Sequence, residues 1–348
     1  MKQTALLGKN AVFLGFRLKS GNYDQERKME ERLIALLRLA LKYNATDIHF
    51  TMRYQEVNIE MRIDGLCRKV KGHFEDYKLL RYLQYLANLD VGNIMTPKTG
   101  QFEMEVDGNL LSLRFAIISK LNFTNGVLRI LNSKLKVNAD NLSHISSQNA
   151  YFKSLLNKNC GLIIFSGPTG SGKTTTLYSL LKSVRGKKIY SIEDPIEVYH
   201  DEFIQLQVNE AIGFDYAQGV KQILRHDPDI IMIGEIRDEK AAKMAVVAAN
   251  TGHLVLTSIH TSRASGCISR MCELGVNEEH LFENLLCVSN QRMLIRRKTH
   301  EKIVLYEIMN RKELEYYQIH RHNSPSFIDI DMQVLKGVEN GIFAPEAV

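Results

Sequence analysis

Eight consecutive residues decide the fold of this chain: Gly167-Pro168-Thr169-Gly170-Ser171-Gly172-Lys173-Thr174. They match the pattern G-x-x-x-x-G-K-[ST]. The apolar run Leu162–Ser166 before them predicts a buried strand, and Thr175–Ser183 after them predicts a helix. Glycines allow successive backbone N–H groups to wrap around phosphate oxygens, and a helix N-terminus adds partial positive charge. The stretch therefore predicts a phosphate-binding loop between a strand and a helix.

The end of this loop carries the charge and the metal contact that a nucleoside triphosphate requires. We expect Lys173 to neutralise the β- and γ-phosphates and the Thr174 hydroxyl to hold Mg²⁺. Thr175, at the start of the helix, is expected to join the nucleotide contacts. The expected ligands are therefore ATP and Mg²⁺.

Further short apolar runs alternate with helical patterns after the loop, at Ile189–Ile192, Ile230–Ile233 and Leu254–Ser258. They indicate an α/β fold with a mostly parallel sheet and helices on both faces. The chain beyond about Ala264 is interpreted as largely helical, with one strand at Ile303–Ile308.

Acidic residues follow two of these strands, at the sheet edge where ligands bind in open α/β folds. Glu235 ends a buried strand and is a candidate to polarise the attacking water, or to hold Mg²⁺ through water. Glu193 and Asp194 end another strand and could serve the same site. The residues alone leave open whether Glu193 or Glu235 is the base.

Two histidines flank the strand that begins at Leu254. His260 lies at its carboxyl end and His253 directly precedes it. A lone histidine is usually structural, but this pair is placed to sense a phosphate. We therefore include His260 among the candidate catalytic residues and His253 among the candidate nucleotide contacts.

The N-terminal part predicts a smaller α+β domain, with a helix from about Met29 and turns at Asp64-Gly65 and Asp107-Gly108. The predicted division of the chain is an arm at 1–28, a domain at 29–132, a linker at 133–149 and an ATPase domain with a helical C-terminal region at 150–348.

Length and composition limit the remaining possibilities. The 348 residues are enough for two domains, and the net charge of +6 is only mildly basic. None of the five cysteines forms a C-x-x-C pair, which argues against a disulfide framework or a zinc site and favours the cytoplasm. No run approaches the roughly 20 apolar residues of a membrane span. Membrane association is therefore expected to be peripheral.

Together these segments resemble the ATPases of type II secretion and type IV pilus assembly. Four family motifs occur in order: a Walker A box at Gly167–Thr174, an aspartate box at Ile192–Glu197 with Gln205–Asn209, a Walker B box at Asp227–Asp238, and a histidine box at Thr251–Leu256 with His260-Thr261. In the first domain, Ala45–His49 and Arg62–Gly65 look like the family's PAS-like domain. The resemblance covers about residues 29–310.

The resemblance implies a RecA-like core, a homohexamer and a cytoplasmic motor at the inner face of the membrane. Arg114 and Arg129 stand where the family places two arginines that reach the γ-phosphate. The expected partner is a polytopic platform protein of the pseudopilus machinery, and no direct contact with nucleic acid is expected.

Departures from the family point to a compact member. The chain lacks the four-cysteine zinc module of large secretion ATPases, as the competence ATPases of Gram-positive bacteria do. The function predicted from the resemblance is assembly of a pseudopilus, with DNA uptake as its use. Pilus retraction, a nucleic-acid motor and a regulatory protein that binds nucleotide with little turnover are the alternatives. The absence of a Lys/Arg stripe interleaved with aromatic residues argues against the nucleic-acid motor.

Overall fold

The computed structural model describes residues 23–344, apart from 55, 64, 74, 91–95, 121, 132–136, 210–211 and 300. The chain forms two compact units, Met1–Ser133 and Lys134–Val348. Most of the predicted arm at 1–28 lies outside the described residues.

The described residues of unit 1 form an antiparallel sheet with two helices. Its elements are α1 (Tyr23–Lys42), β1 (Asp47–Arg53), β2 (Glu56–Ile63), β3 (Leu66–Val70), α2 (Asp76–Leu86), β4 (Lys98–Val106), β5 (Asn109–Lys120) and β6 (Phe123–Ile130). The six strands run in the order β3-β2-β1-β6-β5-β4. Asp107 and Gly108, with φ of 51° and 74°, form the predicted turn between β4 and β5. Asp64 of the other predicted turn lies outside the described residues, and Gly65 has a φ of 83°.

The helix α1 begins earlier than the sequence predicts. Met29, Leu33, Leu36, Leu37 and Ala40 are buried on one face, as their spacing indicates. The helix nevertheless starts at Tyr23. Its first turns are polar and carry no apolar periodicity, so the sequence pattern begins only at Met29.

Unit 2 contains the mostly parallel sheet that the sequence predicts. Its elements are α3 (Ser146–Leu155), β7 (Gly161–Ser166), α4 (Lys173–Lys182), β8 (Ile189–Glu193), β9 (Ile204–Gln207), α5 (Tyr216–Ile223), β10 (Ile230–Ile233), α6 (Glu239–Asn250), β11 (Leu254–Ile259), α7 (Ala264–Glu273), α8 (Glu278–Asn284), β12 (Leu285–Ile295), β13 (Lys302–Met309), α9 (Arg311–His320) and α10 (Ile330–Glu339). The strand order is β13-β12-β7-β11-β10-β8-β9, and β13 alone among these neighbours is antiparallel to the strand beside it.

Both faces of this sheet are covered by helices. Leu162 and Ile164 of β7 point into a core shared with α5 to α9, whereas Ile163 and Phe165 pack with α3 and α4 on the opposite face. Strands buried on both sides are continuous apolar runs, which is why the sequence identifies them. Part of the predicted linker belongs to this unit, because Ala139 and Leu142 are buried in the core that Ile163 and Phe165 share with α3 and α4.

The interpretation of the region after Ala264 as largely helical is wrong for β12, which has eleven residues. Ser289, Asn290 and Gln291 interrupt its apolar pattern, yet each is at most 2% exposed. Asn290 donates to Ser166 Oγ at 2.9 Å, and Ser289 Oγ donates to the Glu307 carbonyl at 3.1 Å. Buried polar side chains with partners of this kind hide a strand from a search for apolar runs.

We predict that Glu307→Ala lowers the free energy of unfolding by about 2–3 kcal/mol. Glu307 is 3% exposed, and its carboxylate accepts from the backbone N–H of Ala264 (2.6 Å) and of Ile330 (3.3 Å). These are the first residues of α7 and α10, so alanine leaves the first backbone N–H of each helix without its acceptor. Denaturation followed by circular dichroism measures the change, and the exposed Glu339→Ala is the matched control. Equal midpoints for the two variants would contradict this role.

Candidate nucleotide site

The loop between β7 and α4 has a backbone that only glycine adopts readily. Gly167, Gly170 and Gly172 have φ of 140°, 81° and 92°. At Gly167 there is no room for a side chain, since an added Cβ would lie 2.3 Å from the Gln291 carbonyl oxygen and 2.7 Å from Ser171 Oγ. The loop therefore folds tightly against its own turn and against β12.

Gln291 of β12 holds this loop in place through a side-chain hydrogen bond. The residue is fully buried, and its Nε2 donates to the Ser171 carbonyl oxygen at 2.8 Å. Ser171 Oγ is buried without a hydrogen-bond partner in the described part of the chain. The position of the loop thus depends on a strand that sequence reasoning missed.

Lys173 begins α4 and directs its ammonium back over the loop. Its Nζ donates to the carbonyl oxygens of Gly167 at 2.9 Å and Pro168 at 3.2 Å. The residue is 8% exposed, and burial lowers the pKa of this ammonium, while the charges of Glu235 and Glu197 act in the opposite direction. A cation in this position is available to phosphate oxygens seated on the loop.

Parallel register brings the ends of β8, β10 and β11 to the same edge. Ile233 pairs with both Ile192 and Thr257. Beyond the strands, the Gly234 N–H donates to the Ile192 carbonyl at 2.9 Å, and Ser258 Oγ donates to the Gly234 carbonyl at 2.7 Å.

Beside this edge lies a cleft of about 550 Å³. The lining residues come from the loop and the start of α4, from the ends of β8, β10 and β11 and the turns after them, and from α5, β12 and β13: Thr169, Gly170, Gly172, Lys173, Thr174, Thr175, Glu193, Asp194, Pro195, Glu197, Tyr216, Gly234, Glu235, Arg237, Ser258, His260, Met293 and Lys302.

Glu235 lies between two basic groups in this cleft. Its carboxylate forms an ion pair with Arg237, and its Oε2 lies 3.5 Å from His260 Nε2. Arg237 also contacts Asp194 at 2.8 Å, so one guanidinium bridges the acids that follow β8 and β10. Burial lowers the pKa of His260, and the charge of Lys173 adds to this effect while Glu235 opposes it.

Glu193 has a different environment, although it lines the same cleft. It is 3% exposed, and both of its oxygens accept hydrogen bonds, from Tyr178 Oη, from Ser191 Oγ at 2.5 Å and from Gln205 Nε2 at 3.1 Å. Burial raises the pKa of Glu193 despite these donors. Tyr178 belongs to α4, so the helix that starts at the loop also holds this acid.

The structure brings together most of the predicted site. Gly167 and Pro168 line a smaller adjoining hollow together with His260. His253 is not part of the site, because Leu254 pairs with Gly161 at the opposite end of β11 from His260. Its ring Nδ1 lies 3.1 Å from Thr251 Oγ1 and 3.2 Å from the Ala248 carbonyl. This corrects the prediction that His253 binds the nucleotide.

Arg114 and Arg129 belong to unit 1, where they are direct cross-strand partners on β5 and β6. Arg129 Nε donates to Asp47 Oδ1 at 2.7 Å, while half of the arginine side chain stays exposed. Although burial favours the neutral acid, hydrogen bonds from Arg129 and Thr46 and the charge of Arg129 lower the pKa of Asp47. Two cations directly opposite each other destabilise a strand pair unless an anion lies nearby.

Sequence reasoning missed three residues that shape the cleft. Gln291 and Tyr178 act through their hydrogen bonds to the loop and to Glu193, and Tyr216 lines the cleft itself. Tyr178 lies five residues after Lys173 on the same helix, which is the available sequence signal. Gln291 offered none, since its strand was not recognised.

The residues fit a nucleoside triphosphate with Mg²⁺. Gly167 lets the loop pack against β12 because it lacks a Cβ, Lys173 places its ammonium over the loop, and the Ser171 hydroxyl is unpartnered within the described chain. Thr174 lines the cleft beside Glu235, so a hydroxyl and a carboxylate are available for Mg²⁺, which prefers oxygen ligands.

We predict that Gly167→Ala weakens MgATP binding at least tenfold, because the new Cβ displaces the Gln291 carbonyl or the loop. Gly186→Ala is the matched control: Gly186 also has a positive φ, of 70°, but no atom lies within 4 Å of an added Cβ. Titration with a fluorescent ATP analogue measures both affinities. Similar losses in the two variants would show that backbone strain alone is responsible and not the contact with β12.

Solved structures share this fold. The chain aligns with the Legionella pneumophila ATPase DotB at a TM-score of 0.71 and 20% identity, covering 91% of this chain and 94% of that one. The pilus retraction motor PilT with bound ADP gives a TM-score of 0.69 at 24% identity, covering 90% and 95%. The expectation of a RecA-like α/β core with a smaller N-terminal domain is confirmed.

Curated relatives are more similar in sequence. Competence protein ComGA of Bacillus subtilis is 36% identical over 276 residues, which cover 78% of this chain and 77% of the relative. Type II secretion system protein E of Pseudomonas aeruginosa is 35% identical over 269 residues, covering 76% of this chain but only 54% of the relative. The profile of the Type II/IV secretion system protein family matches residues 22–326. The chain therefore belongs to the Type II/IV secretion system protein family and is an ATPase.

Proposed function

We propose that this chain works as a homohexamer that hydrolyses ATP to assemble a type IV pilus-like pseudopilus, used for DNA uptake. The observation that carries the ATP hydrolysis in this proposal is the meeting of Lys173, Glu235 and His260 around one phosphate loop. Phosphoryl transfer to water requires positive charge on the phosphates and a residue that orients the attacking water.

Glu235 is the better candidate for orienting water. Its side chain is 19% exposed and faces the cleft, whereas both oxygens of Glu193 are engaged by donors within the protein. We propose that Glu235 orients the water and that Glu193 fixes the edge of the site. Mg²⁺, when bound with ATP at Thr174 and through water at Glu235, would offset negative charge on the phosphates.

The pseudopilus role rests on the relatives. The chain covers about three-quarters of the competence relative but only about half of the type II secretion relatives. We propose the competence role because the match extends over 77% of the competence relative, at 36% identity. We propose a polytopic platform protein as the partner and the cytoplasmic face of the membrane as the location. No helix among the described residues is long and apolar enough to cross a bilayer.

Arg114 and Arg129 are proposed to stabilise charge on the transferred phosphoryl group. Their in-register placement puts two positive charges side by side, and Asp47 contacts only one of them. Arg129 is exposed and Arg114 is partly buried, and two guanidinium groups held side by side are suited to an anion with several oxygens.

We predict that Lys173→Ala lowers ATP turnover at least a hundredfold, since the loop loses its cation for the phosphates. A phosphate-release assay on the purified protein measures this. In cells that lack the gene, the wild type should restore DNA uptake and Lys173→Ala should not. Normal uptake in the deletion strain, with loss of pilus retraction or of secretion, would contradict the competence role. ATPase activity stimulated by DNA, with a steep salt dependence, would instead favour a nucleic-acid motor.

We predict that Arg114→Ala and Arg129→Ala each lower turnover at least tenfold and leave ADP binding unchanged, because the developing charge loses a donor. The exposed Arg68→Ala on β3 is the control. Arg129→Ala should also destabilise unit 1, since it leaves Asp47 buried without its guanidinium, whereas Arg114→Ala should not. Full turnover in both variants at a temperature where they remain folded would exclude the proposed role.

A further inference from the structure

Tyr216 lines the nucleotide cleft, and the site described above does not use its hydroxyl. The residue is 6% exposed and lines the cleft. Its hydroxyl is fully buried, and no hydrogen-bond partner for it exists in the described portion of the chain. A buried hydroxyl without a partner is costly and in native proteins usually marks a bound water or ligand.

The position of this hydroxyl is fixed by the helix on which it stands. Tyr216 is the first residue of α5, and the preceding Asp215 caps the helix by accepting from the Gln218 N–H at 2.8 Å. The tyrosine ring packs in the core with Ile192, Ile233 and Val220. A phenylalanine would serve that packing equally well, so packing does not account for the hydroxyl.

The charged groups around the hydroxyl are those of the site. Burial raises the pKa of Tyr216 well above its ordinary value, and the carboxylates of Glu235, Asp194 and Glu193 raise it further while Arg237 opposes them. The phenol therefore stays protonated and neutral throughout the working pH range. A neutral hydroxyl can accept a hydrogen bond without taking the proton.

We propose, on the basis of the ATP hydrolysis proposed above, that the Tyr216 hydroxyl holds the water that attacks the terminal phosphate beside Glu235. The water needs its oxygen directed at phosphorus and one proton directed at the acid, which leaves its second O–H to be held. The Tyr216 oxygen accepts a hydrogen bond from that O–H.

The step balances without another reactant. The water oxygen forms a bond to phosphorus, the bridging P–O bond of ATP breaks, and its electron pair leaves with ADP. One water proton passes to the Glu235 carboxylate. The other remains on the new phosphate, still in reach of Tyr216.

The test is Tyr216→Phe, which removes the hydroxyl and keeps the ring. We expect kcat to fall about tenfold with the Kd for MgATP unchanged, because the water is present only as the reacting group. The denaturation midpoint should be unchanged or higher, since a buried hydroxyl without a partner is removed. Tyr190→Phe is the matched control: it is an equally buried tyrosine of the same core, and its hydroxyl lies 3.4 Å from the His226 carbonyl and not in the cleft.

A second measurement uses ADP with aluminium fluoride, which mimics the phosphoryl group in transfer together with the attacking water. Tyr216→Phe should trap this complex at least tenfold more weakly than wild type, with the affinity for ADP alone unchanged. Equal kcat and equal trapping in variant and wild type overturn the Tyr216 proposal alone. A raised Mg²⁺ requirement with normal trapping also overturns it, since the hydroxyl would then serve the metal. A wild type that neither hydrolyses ATP nor traps the complex overturns the ATPase function itself.

Discussion

The site depends on the close contact between the phosphate loop and β12. Because Gly167 has no Cβ, its backbone can lie against the Gln291 carbonyl, and the side chain of Gln291 then holds the Ser171 carbonyl. The loop is thereby fixed next to Lys173, which lines the cleft and donates back to the Gly167 carbonyl. Any residue larger than glycine at 167 would separate loop and sheet, and the phosphate-binding geometry would be lost with that contact.

The acidic half of the site follows from parallel register. Strands β8, β10 and β11 end at one edge, so Glu193, Glu235 and His260 meet although they are far apart in sequence. The two acids nevertheless differ in chemistry. Donors within the protein surround Glu193, whereas Glu235 faces Arg237 and His260 in the cleft. Position in the sheet brings the acids together, and local hydrogen bonding separates their roles.

The sequence predicts those parts of the molecule that rest on apolar periodicity or on a glycine motif. The strands β7, β8, β10 and β11 and the phosphate loop belong to this group. It fails where polar side chains are buried with partners, as Ser289, Asn290 and Gln291 are in β12. It also fails for His253, since nearness in sequence to His260 does not reveal that a strand separates them. Which donors surround Glu193 depends on tertiary packing that no local pattern encodes.

The hydrogen bond from Tyr178 to Glu193 has a mechanical consequence. Tyr178 stands on α4, whose first residue is Lys173, and Glu193 ends β8, which lies next to the edge strand β9. Gln205 of β9 donates to the same carboxylate. One carboxylate therefore connects α4 with the edge strand of the sheet. The helix that begins at the phosphate loop and the edge strand β9 are thus joined by three side chains in hydrogen-bond contact: Tyr178, Glu193 and Gln205.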